Sequence, residues 1–316
     1  MRISLDEAVA KLLNGEVVAI PTETVYGLAA DATNESALRK IYAIKQRPAD
    51  NPLIVHIGHI NQVNDWAAEF PPLAQKLASA FWPGPFTLVL PAKDSVSSIV
   101  RAGEPTVALR VPSHPLALQL LKQSSLGLAA PSANKYTQLS PTTAAHVETG
   151  LGECIPVLNG GACQVGIEST IVSVINDDWQ LLRHGMITEP EIAAIAGKPA
   201  LNRLESLPKA PGQHLLHYSP KTPIKLFDSV EALIQYQQNS QQMCAILLID
   251  DIAPNRLLTA EVVRLPKNPA IVAEQLYGVL HHLDTLNVAQ LLVQLPPKAP
   301  EWLAILDRLT RAAHHT

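Results

Sequence analysis

What this sequence lacks narrows its function before its motifs are considered. No apolar run approaches the roughly 18–20 residues needed to cross a bilayer, so no membrane role is expected. The opening MRISLDEAVAKLL places Asp6 and Glu7 where a secretory signal would carry its hydrophobic segment. Together these absences predict residence in the cytoplasm. Cysteine is scarce: Cys154, Cys163 and Cys244 lie far apart, with no Cys-x-x-Cys pair and no histidine at ligand spacing. They read as small core residues in a reducing compartment, and no protein-held metal site is expected. The paired histidines read as solvated, His281–His282 in an amphipathic helix and His314–His315 at the end of the chain. Two phosphate motifs are missing as well. Gly161 and Gly166 have Walker A spacing, but Ile167 stands where lysine is required and a strand pattern follows instead of a helix. There is no Gly-x-Gly-x-x-Gly, so nicotinamide chemistry has no support.

Charge is also thin, at 16% of residues, and it is not basic. Residues 1–206 hold 15 Lys+Arg against 19 Asp+Glu, and residues 207–316 hold 9 of each. Neither half has the excess positive charge that grips nucleic acid phosphates. No solenoid-type repeat is present.

What is present is a globular pattern. At 316 residues and 47% hydrophobic content the chain can bury a large core, and it divides into two domains. Ser4 is placed to cap a helix through Leu13 with Gly15 as its stop, and Asn34 to cap a second that Pro48 bounds. Short apolar runs at 17–20, 53–57, 86–90, 107–111, 126–130 and 170–175 read as strands with helical patterns between several of them. Adjacent strands over 86–111 suggest hairpins, hence a mixed sheet rather than a parallel one. The proline-rich stretch at about 198–222 reads as a linker. Beyond it, strands and helices alternate into a small α/β domain. The boundaries expected are 1–206, a linker or lid at 207–222, and 223–316.

Polar residues gather at the ends of these strands, where an open α/β sheet usually holds a ligand. Pro21-Thr22-Glu23-Thr24-Val25-Tyr26-Gly27 follows the first strand, and Lys45-Gln46-Arg47-Pro48 ends the second helix. Cations there also suit a helix C-terminus, so a structural role is open. Arg110 stands within a strand of aliphatic neighbours, where burial demands an anion. That anion is either an internal carboxylate or a substrate carboxylate suited to the forked guanidinium. Pro131-Ser132-Ala133-Asn134 and Ser140-Pro141-Thr142-Thr143 supply more hydroxyl and amide groups than one helix cap needs.

Singly these clusters are weak, but their order is specific. Pro-Thr-Glu-Thr-Val-Tyr-Gly-Leu, Lys-x-Arg-Pro-x-x-x-Pro-Leu, Trp-Pro-Gly-Pro-Phe-Thr-Leu, Ala-Leu-Arg-Val-Pro, Ala-Pro-Ser-Ala-Asn and Gly-x-Glu-Ser-Thr-Ile-Val occur in sequence. The series closely resembles the YrdC-like family of threonylcarbamoyl-AMP synthases over residues 4–206. His217-Tyr218-Ser219-Pro220 and the small domain resemble its longer, two-domain branch. The resemblance implies a twisted mixed sheet with a concave cleft, followed by a smaller Rossmann-like α/β domain.

It also implies a reaction: L-threonine, bicarbonate and ATP become threonylcarbamoyl-AMP and pyrophosphate. A partner enzyme, a tRNA threonylcarbamoyl transferase, then uses the product to modify tRNA, so tRNA contact by this chain is weak or absent. Lys45, Arg47, Ser132 and Asn134 match the family's catalytic pairs. Thr24, His56, Arg110 and Ser169 fall where threonine is held. Arg47, Asn51, Thr106, Ser132, Ser140, Arg183 and Tyr218 fall where ATP is held, with Tyr218 making the linker a lid. Gln213-His214-Leu215-Leu216 departs from the basic residues that related chains often carry ahead of this motif. A carbamate is already an anion, so its attack on the α-phosphorus needs positioning and charge neutralisation rather than a general base. Mg²⁺ bridging phosphate oxygens fits that need. A non-catalytic RNA-docking protein and a carbamoyl-phosphate enzyme are the rival readings. Acidity argues against the first, and the chain is too short and too poor in cysteine for the second.

Overall fold

The computed structural model describes residues 1–199, 208–212, 217–240, 242–249 and 259–314. The chain forms two compact units. One comprises Met1–Tyr136 with Pro141–Gln213, the other Thr137–Ser140 with His214–Thr316. Much of the expected linker, and the whole 213–216 segment, lies outside the described residues. That the four residues 137–140 join the later unit has no sequence signature.

In the larger unit the first helix spans Leu5–Leu13, and Ser4 and Glu7 close a reciprocal capping box at its start. The second spans Glu35–Lys45, with the Asn34 side chain accepting from the Ala37 N–H. Gln46 adopts a left-handed conformation that ends this helix and turns the chain toward Arg47. Ten strands form one mixed sheet, whose central members run Gly27–Asp31, Leu128–Ala129, Ile54–His56, Thr106–Arg110, Phe86–Pro91 and Thr170–Ile175 in spatial order. The expected pairing within 86–111 is present: Phe86–Pro91 runs antiparallel to Thr106–Arg110. Ile54–His56 runs parallel to the latter, with His56 opposite Arg110.

Side chains alternate across a strand, so this register decides the two faces. Val55, Leu88, Leu90, Val107 and Leu109 enter the main core. Ile54, Val89, Ala108 and Ile171 form a small apolar cluster with Leu182 and Ala210. Arg110 and Thr106 share a face with Ala108, and His56 shares one with Ile54. A strand, Thr170–Ile175, and not a helix is the next element after Gly166, which excludes a phosphate loop of the Walker type.

The smaller unit has a four-stranded parallel sheet ordered Ile224–Phe227, Gln290–Gln294, Cys244–Ile249 and Glu261–Leu265. Helices Val230–Asn239, Pro269–Leu283 and Leu303–Ala312 accompany it. A parallel sheet needs such crossovers, and its central strand Cys244–Ile249 is buried throughout. No helix among the described residues is long and apolar enough to cross a membrane. Two expectations need correction. Cys154 is exposed rather than a core residue, because it lies in the turn after helix Ala144–Leu151. His281 is half-buried and bonded, not solvated; only its neighbour His282 is exposed, on Glu261.

Candidate functional site

The helix Glu35–Lys45 delivers Lys45 into a fully dehydrated position, where its Nζ donates to the carbonyls of Ser132 (2.6 Å) and Asn134 (2.7 Å). Helix end and Ser-Ala-Asn loop are thereby one assembly. Tyr136 returns the link, its N–H donating to the Lys45 carbonyl. Burial holds the Lys45 ammonium well below its ordinary value, and the positive charge of Arg47 adds to that, against an opposing pull from Glu168. Arg47 is half-buried, and its Nη2 donates to the Pro52 carbonyl at 2.9 Å, bracing the loop that carries Asn51. The Tyr42 hydroxyl donates to the Asn51 carbonyl from the other side.

A second group surrounds Arg110. Its Nη2 meets Glu23 Oε1 at 2.6 Å, Nη1 donates to Thr24 Oγ1 at 2.9 Å, and Nε donates to the Gly84 carbonyl at 3.1 Å. All of these groups are buried. The internal carboxylate is therefore Glu23, whose place in the Thr-Glu-Thr segment was visible but whose partner was not. Burial pushes the Glu23 carboxyl up, yet Arg110's charge and hydrogen bond outweigh it and hold the group below its usual range. His56, opposite Arg110 on the neighbouring strand, is pushed down to about 3, first by burial and then by the Arg110 charge. It is a neutral imidazole at pH 7. Three of Arg110's five N–H groups are engaged, which leaves one on each terminal nitrogen for another acceptor.

A third group joins the first two. Ser169 Oγ lies 2.8 Å from Thr87 Oγ1 and accepts from Arg183 Nη2 at 3.1 Å, while Arg183 Nε donates to the Ser169 carbonyl. A Cβ on Gly185 would stand 2.3 Å from the Thr170 nitrogen, so only glycine lets the chain beyond Arg183 lie this close to Ser169–Thr170. Val165 N–H donates to the Glu23 carbonyl, tying this stretch to the Thr-Glu-Thr segment. Glu168, which sequence reasoning passed over, is buried and acts electrostatically on Lys45.

The larger unit thus brings together Lys45, Ser132 and Asn134, with Arg47 two residues on, and separately Thr24, His56 and Arg110, with Ser169 bonded to Arg183. Asn51 and Thr106 are buried on the 46–52 loop and on the Arg110 strand. Ser140 and Tyr218 belong to the smaller unit, where both are buried.

Two family models match the chain. One described as "Telomere recombination" covers residues 10–185, and one described as "Threonylcarbamoyl-AMP synthase, C-terminal domain" covers residues 187–314. The threonylcarbamoyl-AMP synthase of Bacillus subtilis is 40% identical over 320 residues, spanning 97% of this chain and 92% of that protein. One from Vibrio vulnificus is 38% identical over 186 residues, covering 58% of this chain but 98% of that protein. The crystal structure of Pyrococcus abyssi Sua5 complexed with L-threonine is similar with a TM-score of 0.88 at 32% identity, over 99% of this chain and 96% of that one.

Proposed function

This chain belongs to the threonylcarbamoyl-AMP synthase family, and from that premise we infer that it is an L-threonylcarbamoyladenylate synthase. As a nucleotidyltransferase it converts L-threonine, bicarbonate and ATP to threonylcarbamoyl-AMP and pyrophosphate for tRNA modification. The observation that carries the reading is the joining of the Lys45 ammonium to the Ser132 and Asn134 carbonyls, which makes one site of two distant motifs.

The residues divide the work by their chemistry. Arg110, with Thr24 beside it, takes the threonine carboxylate on its uncommitted N–H groups, while Glu23 keeps the buried guanidinium paired when no substrate is present. Neutral His56 offers a hydrogen bond to threonine without repelling its ammonium. Ser169 contributes to threonine binding, and its hydroxyl accepts from Arg183 of the ATP set, which supports the two being neighbours. Arg47 neutralises charge as pyrophosphate leaves. Ser132, Asn51, Thr106 and Ser140 orient phosphates and nucleotide without adding charge, and Arg183 and Tyr218 complete the ATP set. Lys45 acts first as the tie that fixes the Ser132–Asn134 loop, since both its bonds go to that main chain.

No group of three or more histidine, cysteine or carboxylate side chains that could hold a metal occurs among the described residues. This hydroxyl, amide and guanidinium donor set suits Mg²⁺ carried on the ATP phosphates and water, where it supplies charge neutralisation. An ATP-consuming step in tRNA modification supports a cytoplasmic location, with the labile product passed to a tRNA threonylcarbamoyl transferase.

Purified protein should release pyrophosphate from ATP only when L-threonine and bicarbonate are both supplied. Release that persists when either is omitted would reject the reaction.

A further inference from the structure

The residues 137–140 leave the larger unit for only four positions, and the bonds at the two crossings are paired. Tyr136 N–H donates to the Lys45 carbonyl within the larger unit, and the next carbonyl, of Thr137, accepts from Ser219 N–H within the smaller one. At the other end the Ser140 carbonyl meets His281 Nε2 at 3.1 Å within the smaller unit, and the next carbonyl, of Pro141, accepts from Tyr26 N–H within the larger. The excursion is therefore fastened peptide by peptide, and at Ser140 the fastening includes a side chain.

That side chain lies on a defined helix face. Tyr277 and His281 are four residues apart on helix Pro269–Leu283 and so project from one side of it. His281 reaches Ser140, and the Tyr277 ring centroid lies 5.9 Å from that of Tyr218. One helix face thus supports two segments, which also bridge each other through Gln138 and Ser219. Thr137 and Tyr218, one in each segment, have φ of +67° and +62°, a left-handed conformation that non-glycine residues keep only where surroundings over-determine it.

We propose that His281 is a positioning residue for ATP, its Nε2–H holding the Ser140 carbonyl so that Ser140 and the Ser-Pro turn present one conformation to the nucleotide. The assignment rests on the reading of Ser140 as an ATP residue given above. A carbonyl can only accept, so His281 carries its proton on Nε2. Burial lowers the pKa of the imidazole, which keeps it neutral beside the buried turn. The bond orders the backbone without touching either substrate, so its loss falls on ATP and spares threonine.

The test compares His281→Gln with His281→Met in the full chain. The two side chains are of similar length and bulk, and only glutamine donates a hydrogen bond. The KM for ATP of His281→Met is expected to rise about tenfold, as befits one lost hydrogen bond, with the KM for L-threonine within about twofold. His281→Gln should remain within about twofold of the parent in both. The rise in melting temperature on adding ATP, smaller for His281→Met alone, reports binding independently of turnover. Equal KM values for all three proteins, equal impairment of both variants, or parallel rises for both substrates would each overturn the proposal. A parent protein that releases no pyrophosphate would instead remove the functional reading, and this assignment with it.

Discussion

Arg110 has a structural role beside the threonine-binding role proposed for it. Its bond to Glu23 pairs two charges that are almost wholly dehydrated. Deleting one partner leaves the other uncompensated, which costs about 3–5 kcal/mol. Arg110→Ala should therefore lose about that much in urea unfolding, and threonine binding is better tested with Arg110→Lys, which keeps charge but not the fork. That variant should raise the threonine KM at least ~10-fold and leave the ATP KM within about twofold. Equal rises would place Arg110 outside the threonine site. His56 predicts a pH dependence. Its folded pKa lies near 3 and the unfolded reference is 6.5, so below pH 6.5 the unfolded chain binds a proton that the folded chain does not. Stability must then fall as pH falls, by about 2 kcal/mol at pH 5, with His281 acting in the same direction. Unfolding free energies of His56→Gln should lack the His56 share of that loss, and an unchanged slope would show that His56 titrates normally.

Among the elements, the helix Glu35–Lys45 and the Ser132–Asn134 loop are the pair on which the proposed site depends. Lys45→Met would leave two carbonyls without their donor, at about 1–3 kcal/mol each, so it should lower the melting temperature as well as activity. Arg47 lies on the same turn but is half-buried, and its Nη2 donates to the Pro52 carbonyl. Arg47→Ala should melt close to the parent while losing about 10²–10³ in kcat, the usual consequence of removing a donor at developing charge. Melts and pyrophosphate kinetics on the two variants separate these roles, and near-normal turnover by Arg47→Ala would reject its assignment. The helices and strands themselves were legible because their signals are local. Ser4 and Asn34 cap the helices they were expected to cap, and 86–91 pairs with 106–110 as its proximity suggested. Strands Gly27–Asp31 and Asp178–Arg183 were not anticipated, since glycine and charged residues interrupt their alternation.

At the scale of the whole molecule, the larger unit has its own extensive core and ten-stranded sheet. The Vibrio vulnificus relative spans 58% of this chain and almost nothing more. A chain ending at residue 213 is therefore expected to unfold in one cooperative transition. Lacking the partners of 137–140, it should bind ATP more weakly than the full chain, which calorimetry and ATP titration would check. A non-cooperative melt would show that the larger unit depends on residues 214–316 for its fold.

The sequence by itself determined most of the elements, the mixed sheet and the ordered motifs that mark the family, because capping, alternation and motif order are properties of neighbouring residues. Only the tertiary structure decided what those residues do to one another. It paired Arg110 with Glu23, 87 positions away, and carried Lys45 to a loop 87 and 89 positions on. It grouped residues 137–140 with the smaller unit and brought His281 within hydrogen-bond distance of the Ser140 carbonyl. Such pairings arise from sheet register and chain crossing, which bring together groups whose separation along the chain leaves no local trace.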